Sequence, residues 1–175
     1  MEACEVVRLL INKAIVPAEP KRRGNPGYGP VKALRTLVYA RLKRLDNDTR
    51  LVKHLKKHTS IAKTLGLSAV PDRTTVGRWW RRYLTLIEEV FVKLADILQL
   101  AVPTTMAIVD STPLEDLYDI EAQWGHSSRG WFRGFKLHAA VNQLGLPLRA
   151  LVTPGNRYDG PFLPKLIEDL EADYV

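Results

Sequence analysis

The sequence predicts an α+β protein in which a helical N-terminal part precedes a small antiparallel sheet. Apolar residues recur at helical spacing through the first hundred residues, and beyond Pro103 they alternate with polar residues, as they do in strands. The charge changes at the same place. Residues 1–100 hold 20 Lys/Arg and 9 Asp/Glu, a net charge of +11, whereas residues 101–175 hold 6 and 10, a net charge of −4. These observations predict two domains, 1–101 and 102–175.

Six helical segments are expected in the first domain, and four of them carry apolar residues at helical spacing. Residues that favour helix starts help to set their bounds, and these are Pro30, Asp48 or Thr49, Ser60, and Asp72 or Thr74. The expected segments are 2–16, 31–45, 49–58, 61–65, 75–83 and 84–100.

The segments 61–65 and 75–83 predict a helix-turn-helix-like DNA-binding unit. Small Ala62 and Gly66 allow a tight turn, and the second helix is rich in arginine. Trp79 and Trp80 on that helix are expected in the core rather than on DNA. The alternative is a plain helical hairpin with solvated basic faces. The candidate DNA contacts of this domain are Lys21, Arg22 and Arg23 in a Gly/Pro-rich loop, and Thr74, Arg78, Arg81 and Arg82 on the helix.

The second domain opens on a short apolar run, Met106 to Val109, which predicts a buried strand that leads to Asp110 and is stopped by Pro113. Asp110 would then lie at the mouth of the strand, where a carboxylate can meet solvent, metal or substrate; in the middle of a buried strand its desolvation would cost too much. The alternative is an Asp that only caps the following turn.

The rest of the second domain predicts a hairpin and a helix. Residues 125–134 are expected to form a loop, followed by strands 135–141 and 148–153. A helix should begin at Pro161, and the final residues 174–175 are typical of the start of another strand.

Composition excludes several classes of protein. Of the 175 residues, 46% are apolar, which is enough for a core and argues against disorder. There is no run of 18 apolar residues, and the acidic N-terminus lacks a secretory pattern. A single cysteine excludes an intrachain disulfide. We therefore expect a cytoplasmic protein with no membrane partner.

Three motifs stand in order along the second domain. They are Val109-Asp110-Ser111-Thr112-Pro113, Gly134-Phe135-Lys136-Leu137-His138 and Val152-Thr153-Pro154-Gly155-Asn156-Arg157-Tyr158-Asp159. Together they closely resemble the catalytic domain of DDE transposases from bacterial and archaeal insertion sequences. The stretch from Leu65 through Arg78-Trp79 resembles the helical N-terminal region of the same family. The predicted order of elements matches the opening of a ribonuclease-H-like fold, with three antiparallel strands, a helix and a fourth strand beside the first.

The resemblance implies a transposase that binds double-stranded DNA at insertion-sequence ends. It also implies two-metal phosphoryl transfer, with Mg²⁺ or Mn²⁺ held by two Asp and one Glu, of which Asp110 would be the first catalytic and metal-binding residue. Arg129, Arg133 and Lys136 would contact DNA, Lys136 alternatively the active-site edge. The roles of two further residues are undecided. His138 is either a functional residue of its motif or a histidine packed in the sheet. Asp159 matches an aspartate of the family's motif, and we interpret it as a helix cap.

The sequence departs from the family in one respect. In relatives the second Asp lies on the strand that begins near residues 174–175 and the Glu lies further on, and neither is present here. We therefore expect a truncated ribonuclease-H-like domain that binds metal weakly and does not cleave DNA alone. Two functions are weighed: part of a transposase, and a catalytically inactive DNA-binding remnant or inhibitor of a full-length transposase. A second copy or a full-length transposase is the expected protein partner.

Overall fold

The computed structural model describes residues 2–12, 15–16, 27–45, 47–168, 170 and 172–174. The chain divides into two compact units, residues 1–91 and 92–175. The first unit is helical and the second contains a sheet, so the predicted α+β class is confirmed. The division falls within the last long helix, earlier in the chain than the boundary at 101/102, which stays a prediction.

Six helices occupy the N-terminal part of the described chain. The first ends at Leu10, so the expectation that it continues to residue 16 is wrong. The last crosses from the first unit into the second. Their bounds are α1 Ala3–Leu10, α2 Gly29–Leu42, α3 Asp48–Lys57, α4 Thr59–Thr64, α5 Arg73–Arg82 and α6 Leu84–Ala101.

The observed N-cap residues of these helices agree with the predicted ones only in part. Asp72 caps α5, as one of the two predicted alternatives. Asn47, and not Asp48 or Thr49, caps α3, because its Oδ1 accepts a hydrogen bond from the Thr49 amide at 2.7 Å. The Ser60 cap is also wrong, since α4 begins at Thr59.

The core of the helical unit forms where α2 packs against α1 and α5, and α3 packs against α4 and α5. Its most deeply buried residues include Leu34, Leu37, Leu55, Leu65 and Val76. Eight residues, 65–72, join α4 to α5. This connection is longer than the three or four residues usual in a helix-turn-helix.

The sheet unit is built around one long strand. Its elements are β1 Ala107–Glu115, β2 Gln123–Ser127, β3 Gly130–Asn142, β4 Pro147–Pro154, a 3-10 turn Gly160–Phe162 and α7 Leu163–Ile167. One edge of β3 pairs with β1, and the other edge pairs first with β2 and then with β4, all antiparallel. The predicted strands and hairpin are therefore present.

Two predictions about this sheet are wrong. Residues 125–134 are not a loop, because Trp124 and His126 pair with Arg133 and Trp131 across a turn at 128–129. This adds β2 to the three predicted strands. Pro113 does not end β1 either, since it pairs with Lys136 and the strand continues to Glu115. A proline is tolerated there because β1 is an edge strand over that stretch of the described chain.

The two faces of the sheet differ in cover. On one face, α7 packs on the sheet around Ala107, Ala140, Leu148 and Leu166. Alternate residues point to the other face, so Ile108 and Leu114 are exposed there. At the end of the described chain, the Tyr174 carbonyl accepts the Ala107 amide at 2.9 Å, and Tyr174 forms a parallel bridge with Met106. The expected strand start beside β1 is thus confirmed.

None of the helices in the described residues is long and apolar enough to cross a bilayer.

Three glycines meet where β1, β2 and β4 converge on β3. Gly134 pairs with both Glu115 and Gln123, and its carbonyl accepts the Gly155 amide at 2.9 Å. A Cβ on Gly125 would overlap the Gly155 carbonyl, and one on Gly134 would overlap the Leu114 carbonyl. The backbones approach too closely there for any side chain.

We predict that Gly125→Ala lowers the free energy of unfolding by about 3 kcal/mol, because the added methyl group meets backbone that cannot move independently. Gly145→Asn is the matched control. Gly145 has φ +74° and open space around it, and asparagine tolerates that conformation. Urea denaturation of both variants provides the comparison, and equal stabilities would contradict the close approach.

Candidate nucleic-acid interface and carboxylate site

Helix α5 has one buried face and one arginine-rich face. Val76, Trp79 and Tyr83, spaced at i, i+3 and i+7, are buried. Thr74, Arg78 and Arg81, spaced at i, i+4 and i+7, are exposed. The helical period therefore separates the packing residues from the cations.

An open groove runs along the exposed face of α5. It has a volume of about 330 Å³ and is lined by Asp48, Arg73, Thr74, Gly77, Arg78 and Arg81. The indole Nε1 of Trp80 donates to the Asp48 carboxylate at 3.3 Å. With three arginines against one carboxylate, the groove has a net charge of +2.

The start of α5 is fixed by Asp72. Its Oδ1 accepts hydrogen bonds from the Thr74 hydroxyl at 2.6 Å and the Thr75 amide at 2.7 Å. These hydrogen bonds lower the pKa of Asp72 to about 2, and the hydrogen bond from the Thr74 hydroxyl has the largest effect. The Thr74 hydroxyl proton is thus directed at Asp72. The Thr74 carbonyl accepts Arg78 Nε at 3.2 Å, which orients that guanidinium along the groove.

The aromatic residues of this region pack within the unit. Trp79 is 6% exposed and meets Tyr28 edge-on at 5.3 Å, which confirms the core interpretation. Trp80 is half-buried, and the Arg41 guanidinium lies 4.7 Å from its ring centroid. Arg82 lies 5.4 Å from the Tyr83 ring and does not line the groove. Lys21, Arg22 and Arg23 lie outside the described residues.

Asp110 lies in the middle of β1, opposite Ala139 of β3, and not at the mouth of a strand as predicted. Its side chain is nevertheless exposed, because it points to the face that α7 does not cover. β1 is covered on one face only, so a carboxylate in the middle of the strand still meets solvent. One carboxylate oxygen accepts the Ser111 amide at 2.7 Å.

Asp110 does not form a complete metal site with its neighbours. Across the described ranges, no three His, Cys, Asp or Glu side chains are grouped so as to hold a metal ion. A single carboxylate does not satisfy the six or more oxygen ligands of a hard divalent cation.

The covered face of the sheet carries a polar network centred on Asp159. Its Oδ2 accepts the Ser111 hydroxyl at 3.0 Å, and its Oδ1 accepts Lys136 Nζ at 3.1 Å. Asp159 occupies the N-cap position of the 3-10 turn, as predicted, but its side chain makes no capping hydrogen bond. Burial alone would raise the pKa of Asp159, but the hydrogen bonds from Lys136 and Ser111 and the charges of Lys136 and His138 together lower it.

His138 belongs to the same network and is packed inside the unit. It is 2% exposed, its Nε2 lies 2.9 Å from the Thr153 hydroxyl, and its ring stacks on Phe162 at 5.1 Å. Burial lowers its pKa, an effect that Asp159 opposes and Lys136 reinforces. The interpretation as a packed sheet histidine is confirmed.

The network joins residues from the three motifs, which sequence reasoning did not connect. Ser111 was absent from the candidate residues, although it pairs directly with His138 across β1 and β3. The available signal was the spacing of Lys136 and His138, which places both on one face of β3. The strand register that brings Ser111 to that face was not readable from the sequence.

The two remaining candidate arginines are differently placed. Arg129 is exposed in the turn between β2 and β3. Arg133 donates from its guanidinium to the carbonyl oxygens of Leu117 and Asp119, and so holds the loop between β1 and β2.

We predict that His138 makes the sheet unit less stable on acidification. The pKa of His138 is lower in the folded state than in the unfolded state. Its contribution to the free energy of unfolding is therefore complete above the unfolded pKa of about 6.5 and is lost as the pH falls towards the folded pKa. His138→Gln should reduce this dependence. Because His54 in the helical unit also has a lowered pKa, the measurement is amide exchange of residues 137–140 against pH. Equal slopes for wild type and variant would contradict the assignment, and His126→Gln is the control.

Comparisons with known proteins agree with the motifs. Residues 103–175 match the family model described as Transposase DDE domain, and residues 4–82 match the model described as Transposase domain (DUF772). No curated protein and no solved structure matches the chain. The two matches together cover most of the sequence. The chain belongs to the DDE transposase family.

Proposed function

We propose that this chain binds the DNA of an insertion sequence through the groove on α5. The observation that supports the proposal is the arginine-rich face of that helix, with Arg73, Arg78 and Arg81 along one open groove and the packing residues on the other side. Guanidinium groups in this arrangement suit phosphate oxygens, to which they bind with two parallel hydrogen bonds.

The charge of the chain supports the same proposal. The +11 half of the sequence would release counterions from DNA, which makes binding strong at low salt and weak at high salt. Phosphate contacts of this kind position a protein on the duplex, whereas contacts to base edges give sequence preference. Arg78 and Arg81 are proposed as phosphate contacts. Arg129 stays a proposed contact, whereas the guanidinium of Arg133 and the ammonium of Lys136 are engaged within the sheet unit.

We further propose that Asp110 is one carboxylate of the family's metal site. DDE transposases use divalent metal ions, and Asp110 presents its carboxylate on an uncovered face of the sheet. The site is incomplete in the described residues, so this polypeptide alone should bind Mg²⁺ or Mn²⁺ weakly and leave DNA uncut. We propose that this polypeptide binds DNA without cutting it, acting with or against a full-length transposase in the cytoplasm.

We predict that Arg78→Ala combined with Arg81→Ala weakens binding to duplex DNA. The slope of log affinity against log salt concentration should also become shallower by about 2, because each phosphate contact contributes about 0.9 to that slope. Fluorescence anisotropy over a series of salt concentrations measures both quantities. Arg8→Ala, an exposed arginine of α1 away from the groove, is the matched control. A double variant with the slope of the wild type would contradict the groove as the DNA site.

A second prediction concerns cleavage. The chain and its Asp110→Asn variant should show the same background in a Mg²⁺-dependent nicking assay on DNA that carries insertion-sequence ends. Nicking by the wild type that Asp110→Asn abolishes would contradict the proposed inactivity and would place a working metal site in this polypeptide.

A further inference from the structure

We propose that the loop between β1 and β2, with two neighbouring tryptophans, is a surface on which a second copy of this chain docks through its basic helical unit. The surface consists of Leu117, Tyr118, Ile120, Trp124 and Trp131, and we call it the aromatic loop surface. Tyr118 is 96% exposed, Ile120 91% and Trp131 76%. Large apolar side chains that cluster in the open typically mark binding surfaces.

The loop holds these side chains outward by hydrogen bonds of its backbone. Asp116 Oδ1 accepts the Tyr118 amide at 2.9 Å and the Asp119 amide at 3.0 Å. Arg133 donates to two loop carbonyls from β3. A loop fixed in this way loses little conformational entropy when a partner binds it, which favours association.

The tryptophans and the loop lie on one face of the sheet. Trp124 pairs directly with Arg133, the residue that holds the loop, and Trp131 is two positions from Arg133 along β3. Residues that pair across strands, or lie two apart on one strand, point to the same face. Trp124 and Trp131 therefore lie on the same side of the sheet as Arg133, whose guanidinium holds the loop. Tyrosine and tryptophan are also the residues most enriched at the energetic centres of protein interfaces.

The charge around the aromatic loop surface argues against DNA as its partner. Residues 115–133 contain four carboxylates, Glu115, Asp116, Asp119 and Glu121, and two cations, Arg129 and Arg133, for a net charge of −2. These carboxylates would repel phosphates, so the proposed DNA contact of Arg129 belongs to the β2–β3 turn and not to the aromatic loop surface. A basic protein surface would be attracted to it.

The chain itself carries a suitable basic surface. Leu42, at the end of α2, is 57% exposed and is flanked in sequence by Arg41, Lys43 and Arg44. An apolar residue surrounded by cations complements an apolar surface surrounded by carboxylates. The aromatic loop surface of one copy therefore binds the α2 end of another copy, independently of DNA binding.

Sedimentation velocity of the full chain without DNA, across a wide range of protein concentration, tests the surface. The wild type should associate as concentration rises, and Tyr118→Ser combined with Ile120→Ser should weaken association by at least about tenfold, as expected when interface anchors are lost. Leu144→Ser is the matched control, because Leu144 is 67% exposed in the turn between β3 and β4. A wild type that stays monomeric, or a double variant that associates normally, would overturn the proposal.

Charge reversal tests the partner. Glu115→Lys with Glu121→Lys should prevent association of one variant, and Lys43→Glu with Arg44→Glu should prevent it in another. A mixture of the two variants should associate again, because the reversed loop of the first meets the reversed α2 end of the second, and the unchanged α2 end of the first meets the unchanged loop of the second. Failure of the mixture to associate would overturn the α2 end as partner. DNA affinity of Tyr118→Ser/Ile120→Ser should equal that of the wild type, which separates this inference from the proposed function.

Discussion

The sheet unit depends on the register in which β3 pairs with β1. That register places Ser111 opposite His138 and Asp110 opposite Ala139, so neighbouring residues of one motif serve opposite faces of the sheet. On the covered face, Ser111 enters the network of Asp159, Lys136 and His138. On the uncovered face, Asp110 meets solvent. A slip of one residue would exchange these environments, burying a carboxylate and exposing the network.

The Asp159 network also explains why the three motifs of the second domain occur together. A buried histidine and a largely buried lysine need partners, because an unpaired polar group in the interior costs stability. Asp159 supplies them with a carboxylate from a turn that follows β4, and Ser111 adds a link to β1. The network is thus the means by which the turn, β3 and β1 are held in one arrangement, and it fixes the backbone that presents Asp110.

The sequence predicted elements better than it predicted their surroundings. Helical periodicity located α2, α5 and α6, and alternation located β4 and most of β3, because those patterns follow from which face is buried. The sequence patterns failed at Pro113, because a proline indicates the end of a strand unless the strand is known to lie at an edge. They also failed at β2, because the pairing of Trp124 with Arg133 is a contact between strands that no local pattern encodes. The motif identified Asp110 as a candidate. Its position in the middle of β1 depends on the pairing of β1 with β3, which the sequence does not show.

Thiol labelling along β1 tests the register most directly. In a Cys4→Ala background, which removes the natural cysteine, single cysteines at positions 107 to 114 would be labelled one at a time and their rates compared. The account predicts an alternation that continues through position 113, with fast reaction at 108, 110, 112 and 114 and slow reaction at 107, 109, 111 and 113. Slow labelling at 110, or an alternation that stops before Pro113, would contradict it.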